Sequence, residues 1–390
     1  MIATLRTAPW LTEDRARMVR NALLVMLPLT LLAWIATSSG GIDAAGRVLG
    51  TDFVSFWISA RMAVAGQPSV VYDVAAHAAA QMSAFGADVG YTAFFYPPPF
   101  LLILLPLGLL GYFAALATWL GATGYAYWRS VRAWSPAWQG VPLALLAFPA
   151  VMVNVTHGQN GFLTAALLGG GALLAPTRPV LGGLLLGALV IKPHLALLVP
   201  VALAAQGNWR AFVAAGASAL GLSLASALVL GTGSWTGFLA VSPLAQATLH
   251  AGLVEPYKMQ SLFAAIRLMG GGLALAYTAQ ALLGLAVVAG LIVLRRADPR
   301  AQGAALVAGA TLATPFMLDY DLTLAAVPML WLKMEIDRTG AGPFEKLVLA
   351  AAFILPLVAR PIGYYTHVGI APLVMAALFA LIVRRALRCA

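Results

Sequence analysis

The stretch YPPPFLLILLPLGLL, residues 96–110, decides how this chain is folded. If it crosses a membrane, every later segment inverts; if it dips in and returns, none does. It opens on Tyr96-Pro97-Pro98-Pro99, runs apolar from Phe100 to Leu110 and is broken by Pro106. Residues 100–110 reach only ~16 Å at 1.5 Å per residue, against a hydrocarbon core of ~30 Å. The charges point the same way. A crossing would put Arg129, Arg132, Arg178, Arg210, Arg295, Arg296, Arg300, Lys333, Arg338, Lys346, Arg384, Arg385 and Arg388 outside. A segment that does not cross keeps them inside with Arg6, Arg15, Arg17 and Arg20, as the positive-inside rule requires. Residues 96–110 are therefore read as re-entrant or interfacial.

That lipid is the solvent follows from composition. Of 390 residues, 62% are hydrophobic and 9% charged, with a mean hydropathy of +0.90. A soluble domain carries about 25% charged residues, so this chain cannot cover a water-facing surface. The net charge of +10 comes from arginines dotted between apolar runs, with no basic domain, which excludes a nucleic-acid partner. The one cysteine, Cys389, allows no intrachain disulfide. Residues 1–20 are polar and basic, and the run after them is long enough to span, so the N-terminus reads as an uncleaved signal-anchor.

The expected fold is an all-α integral membrane protein with about twelve transmembrane helices (roughly 10–13) and both termini inside. The spans fall near 21–39, 112–129, 141–156, 160–175, 179–192, 194–206, 211–231, 271–294, 301–318, 322–333, 345–359 and 367–384. Several are too short to span alone, and the pieces around Pro193 should end part-way through the bilayer beside protein or a cavity. Residues 1–390 form a single transmembrane domain: a catalytic module over 20–232 with a first outer loop at 40–96, a second large outer loop at 233–270, and C-terminal helices over 271–390. The first outer loop should carry interfacial helices, because Phe53, Phe56, Trp57, Ala60 and Val64 recur at helical spacing. The outer side then collects Asp52, Arg61, Asp73, His77, Asp88, His157, Gln159, Asn160, Lys192, His194, His250, Glu255, Lys258, Arg267, Asp319, Asp321, Arg360 and His367.

Three places in that set carry chemistry. Asp52 follows Gly50-Thr51 at the water–lipid boundary; it is either the N-cap of the helix after it or a general base. Lys192 lies in Val190-Ile191-Lys192-Pro193-His194 with apolar sequence on both sides. A lysine there costs about 2.5–3.5 kcal/mol and faces a cavity or partner, so an anionic ligand such as a lipid phosphate is expected. His157-Gly158-Gln159-Asn160 joins two apolar runs on the same face, as a plain connector or part of the site. Lys258 and Arg267 on the second loop offer further phosphate contacts. Asp319-Tyr320-Asp321 is an Asp-x-Asp pair of the kind that can hold a divalent metal, but so short a pattern is also common by chance or as a helix cap, and no metal is assigned.

Taken in order, these features resemble glycosyltransferase family 87, the polyprenol-phosphate-mannose-dependent mannosyltransferases of the membrane glycosyltransferase C superfamily. The resemblance rests on Asp52-Phe53 through Trp57, Ala65-Gly66, Val71-Tyr72-Asp73, Tyr96-Pro97-Pro98 with Pro106, Gly158-Gln159-Asn160, Ile191-Lys192-Pro193, Trp209-Arg210 and Gln260-Ser261-Leu262-Phe263. It implies a glycosyltransferase C-like bundle in a bacterial inner membrane with its site on the periplasmic side. A sugar, mannose by expectation, would arrive on a polyprenyl phosphate and pass with inversion to a lipid or glycan acceptor. Asp52 would be the base, and Lys192 with Arg267 or Lys258 would hold the phosphate. Asp73, Tyr96, His157, Gln159, Asn160, His194, Gln260, Asp319 and Asp321 would contact substrate. No cofactor is implied, and membrane lipids are the remaining partners. Where family members often carry histidine, this chain has Asp319-Tyr320-Asp321. A flippase or transporter without chemistry is the competing function, but no internal repeat supports it.

Overall fold

The computed structural model describes residues 2–86 and 89–388; Asp88 and Cys389 lie outside them. The chain is 76% helix, and no strand occurs among the described residues. Among the described residues, four helices are long and apolar enough to cross a membrane: Glu13–Ala36, Trp209–Leu230, Leu273–Arg296 and Glu345–Thr366. Large apolar side chains such as Leu228, Leu285 and Val213 point outward from these and neighbouring turns, which suits lipid and not water. One inner helix is rich in small residues, and every residue of Pro299–Ala310 from Ala301 to Ala310 is buried. Lipid supplies no hydrophobic drive between helices, so close approach of small side chains holds such a bundle.

The shorter apolar helices are interrupted where proline and glycine demand it. Pro179–Ile191 and Pro193–Ala205 meet at Lys192, whose backbone leaves the helical region (φ −146°, ψ 70°) because Pro193 cannot continue the ladder. Residues 98–109 form an α-turn and then a tighter one, with Phe100, Leu101 and Leu104 fully buried. Both ends of this segment pack against the helix that begins at Phe53, Tyr96 on Phe56 and Leu110 on Trp57. On entry, the Tyr96 hydroxyl reaches Gln159 beside Asp52. On exit, Trp57 Nε1 donates to the Leu110 carbonyl (3.0 Å) and the Tyr112 hydroxyl to that of Leu49 (2.8 Å).

Two expectations need correction. The helix Phe53–Val64 does not lie on a surface: residues 53–60 are buried. Its aromatic face is matched by protein rings, with Phe56 packed edge-on against Tyr96, Phe100 and Trp119 at 5.3, 4.9 and 6.1 Å. About half of the second outer loop is a nineteen-residue helix, Thr232–His250, carrying Pro243 inside it. Phe238 on that helix packs against Tyr72 of the first loop at 6.0 Å, so the two loops form one layer.

Basic side chains gather at one end of the bundle. Glu345 accepts from Arg384 (3.0 Å) and from both Nε and Nη2 of Arg385 (3.0 and 2.5 Å). Lys333 reaches Glu13 at 3.3 Å, and the Phe344 amide donates to the Arg6 carbonyl. The first and last helices of the chain are thus fastened together there. On Glu345–Thr366, Arg360 lies fifteen residues beyond Glu345, about 22 Å along the axis. That far end of the bundle holds Asp319 and the turn around Asp52.

Two outcomes follow for stability. Glu345→Ala strands the buried Arg385 without its carboxylate and should cost about 3 kcal/mol or more, read as a lowered thermal midpoint in detergent; an unchanged midpoint would show the cluster to be ornamental. His77 is buried between Ser59 Oγ (3.0 Å) and Gln81 Nε2 (3.2 Å), and burial pushes its pKa down to about 4. The unfolded chain therefore binds a proton that the folded one refuses, and stability falls as pH drops from about 6.5 towards 4. Thermal unfolding from pH 7 to 4.5 should show this fall, and His77→Gln should flatten that part of it.

Candidate active site

The site is built around a turn. Helix Pro149–His157 ends on Gly158, whose left-handed backbone (φ +63°) favours glycine, and a Cβ there would meet Phe53 Cβ at 2.6 Å. The turn presents Gln159 and Asn160, both buried, to opposite sides. Gly161 allows the turn to close on the chain near Tyr320; a Cβ would lie 2.6 Å from the Tyr320 carbonyl oxygen. Asn154 Oδ1 accepts from the Gly161 amide at 2.9 Å and fixes the shape from below.

On one side of the turn stands Asp52. It occupies the N-cap position of Phe53–Val64, yet its side chain caps nothing. The backbone amide of Asp52 instead donates to the His157 carbonyl (3.1 Å), and Oδ2 accepts from Gln159 Nε2 (3.0 Å). Gln159 is oriented from its other end, where Oε1 accepts from the Tyr96 hydroxyl (3.3 Å) and the Asn160 amide (3.1 Å). The donors run in one direction, from Tyr96 through Gln159 to the carboxylate of Asp52. The chain leaves Oδ1, with Thr51 Oγ1 at 3.5 Å, for a further hydrogen-bond donor.

On the other side stands Lys192, 1% exposed. Its Nζ donates to Asn160 Oδ1 (3.2 Å) and Asp321 Oδ1 (2.5 Å) and sits 4.7 Å over the Tyr320 ring. Asp321 also accepts from the Leu318 amide at 3.3 Å. The charge of Lys192 is therefore matched by a carboxylate as buried as itself. Asp319 turns the other way: Oδ1 accepts from the Tyr320 amide (2.9 Å), and Oδ2 faces Arg360 at 3.6 Å. Asp52, His157 and Arg360 all act electrostatically on Asp319, so this second carboxylate belongs to the same site.

Of the residues singled out from the sequence, Asp52, Tyr96, Gln159, Asn160, Lys192 and Asp321 form one hydrogen-bonded network, with His157 and Asp319 adjoining it. His194 flanks Lys192 with its ring edge-on to Phe316 at 5.8 Å and its buried Nε2 without a partner. The others are engaged elsewhere. Asp73 caps Val74–Phe85 through the Ala76 amide at 2.9 Å. Lys258 pairs with Glu255. Arg267 donates to the carbonyls of Gly271 (2.9 Å) and His250 (3.4 Å). The Gln260 amide donates to the Met317 carbonyl at 2.7 Å, tying the second loop beside Asp319. Tyr320 and Arg360 were given no role from sequence. Arg360 carried the signal that exposed Lys192, a lone cation between apolar residues.

A part-buried carboxylate held by an amide and a tyrosine thus stands beside a fully buried ion pair in an apolar helical bundle. The model of glycosyltransferase family 87 matches residues 94–318, and the chain belongs to that family. It is accordingly a glycosyltransferase. No curated protein and no solved structure matches the chain.

The ion pair can be tested apart from activity. Lys192→Met or Asp321→Leu alone leaves one buried charge uncompensated, and each should lower stability by about 3–5 kcal/mol. The double variant should recover most of that loss in thermal unfolding. A double variant no more stable than either single one would show that the two charges are not coupled.

Proposed function

We propose that this glycosyltransferase moves a hexose, mannose by expectation, from a polyprenyl-phosphate donor to the hydroxyl of a lipid or glycan acceptor. The observation that carries the reading is the convergence of Asp52 with Gln159, Tyr96 and the Lys192–Asp321 pair at one polar end of an apolar bundle. A donor held by a lipid tail meets a polar acceptor most simply at such an end. The chain lies in a bacterial inner membrane with about twelve spans, both termini cytoplasmic and the site periplasmic; residues 96–110 dip in and return. The fastening of both chain ends at the basic end, and the packing of both ends of residues 96–110 against the helix that begins at Phe53, support that arrangement.

In the reaction, the acceptor hydroxyl oxygen attacks the anomeric carbon from the face opposite the phosphate. Its proton passes to Asp52, the bond between the anomeric carbon and the phosphate oxygen breaks, and polyprenyl phosphate leaves with that electron pair. One displacement inverts the configuration. Gln159 acts as a positioning residue, holding Oδ2 so that Oδ1 meets the acceptor. Lys192 shapes the floor of the site through Asn160 and Asp321. His194, with an unpartnered buried nitrogen, is placed to contact a sugar hydroxyl.

Purified protein should release polyprenyl phosphate from one member of a panel of polyprenyl-phosphate hexoses, at least slowly by hydrolysis. Asp52→Asn should lower transfer by about 10²–10⁴-fold with the thermal midpoint unchanged. Full transfer by this variant would rule out Asp52 as the base. Gln159→Ala should cost less than Asp52→Asn, because it disorders the base without removing it.

A further inference from the structure

Among the described residues, Lys192, Lys258 and Arg267 all have hydrogen-bond or close ion-pair partners, whereas Arg360 has a single loose ion pair and no hydrogen bond. Lys192 is neutralised by Asp321, Lys258 by Glu255, and Arg267 donates to two backbone carbonyls. Arg360 makes no hydrogen bond among the described residues. Its closest carboxylate oxygen, Asp319 Oδ2, stands 3.6 Å from Nη1, an ion pair by distance but beyond hydrogen-bond reach. The Arg360 side chain is 33% exposed, whereas that of Asp319 is 7% exposed. A guanidinium has five N–H donors in a planar fork that fits a phosphate bidentately. Here the fork is open to the outside and connected to the base through one residue, since Asp52 and Arg360 both act on Asp319.

We propose that Arg360 takes the donor phosphate, and that Asp319 is the carboxylate this phosphate displaces from it. The inference rests on the polyprenyl-phosphate reading above and adds a residue beyond the segment matched by the family model. A sugar phosphodiester carries one negative charge, and the departing phosphate gains a second as the anomeric bond breaks. Donors already aimed at that oxygen stabilise the developing charge without reorganising. Arg360 has such donors free. Asp319, held by the Tyr320 amide, keeps the guanidinium near the site while it is empty and repels the phosphate once it arrives. The two residues therefore act on phosphate affinity with opposite sign.

The test is equilibrium binding to the full-length protein in detergent, comparing polyprenyl phosphate with the polyprenol of the same length. Tryptophan fluorescence or thermal shift supplies the readout, with no turnover needed. Wild type should prefer the phosphate. Arg360→Gln should weaken phosphate binding by about 10- to 100-fold, the range for lost hydrogen bonds to a charged group, and leave polyprenol binding unchanged. Arg360→Lys should fall between. Asp319→Asn should bind the phosphate more tightly than wild type. That gain is something a merely structural pair would not give, and it stands even if the arginine variants fold poorly. Wild type that prefers the phosphate while Arg360→Gln keeps that preference overturns this inference alone. An Asp319→Asn protein that binds no tighter overturns the displacement. A wild type without any preference overturns the donor reading and this inference with it.

Discussion

The contact on which the rest of the site depends is the ion pair of Lys192 and Asp321, two charges with almost no exposed surface. Burying such a pair costs several kcal/mol per ion, repaid only when geometry is good and the remaining donors and acceptors are met. Here they are met by Asn160, the Leu318 amide and the face of Tyr320. The pair thereby ties together three pieces of chain that sequence holds far apart: the turn at 157–161, the break at Pro193 and the segment at 318–325. Each piece is irregular backbone inside an apolar bundle, which survives only where other groups satisfy its amides and carbonyls. Thr323 Oγ1 on the Gly161 carbonyl and the Tyr127 hydroxyl on that of Thr323 serve the same purpose one layer down.

From that fastening the geometry of Asp52 follows. Lys192 holds Asn160, the Asn160 amide holds Gln159 Oε1, and Gln159 Nε2 holds Asp52. A carboxylate on an outer loop would ordinarily sample several rotamers; this one is gripped by a chain of bonds anchored in the core. In a region of low dielectric such a chain is stronger than the same bonds in water, and it polarises in one direction. The site thus combines a carboxylate of fixed position with a floor of zero net charge.

Much of this was legible from residue types and their neighbours. Lys192 between apolar runs announced a need for a counter-charge, expected as a ligand phosphate and met here by Asp321, and Pro193 announced the break. The proline-led apolar run at 96–110 lies against the start of the first helix after Asp52, with Tyr96 on Phe56 and the Leu110 carbonyl on Trp57. What pattern could not show was pairing. Asp321 and Lys192 are 129 residues apart, and nothing local marks one as the other's partner. Arg267 and Lys258 stood out in sequence as cations on a polar loop, but pattern does not show that carbonyls and Glu255 already hold them. Phe53–Val64 looked like a surface helix because an aromatic stripe seeks lipid and protein rings alike; the rings that cover it come from residues 94–119. Thr232–His250 was hidden by its own glycines, proline and polar residues, which read as loop until Tyr72 supplies a surface for Phe238.

The charges of this chain also differ in how completely they are satisfied, and that difference separates scaffold from chemistry. Arg385 has Glu345, Thr339 and the carbonyls of Glu335 and Gly340 around its guanidinium. No ligand could improve on that set, so its role is to hold the helices. Arg360 lies on the same helix as Glu345, at the opposite end, with no comparable set. An exposed arginine in water would show nothing by this, since water meets its donors. One that stands beside a buried carboxylate, itself within reach of Asp52, has its position enforced while its donors are left open. Catalytic groups meet that condition: they are ordered by the fold and incomplete without the substrate.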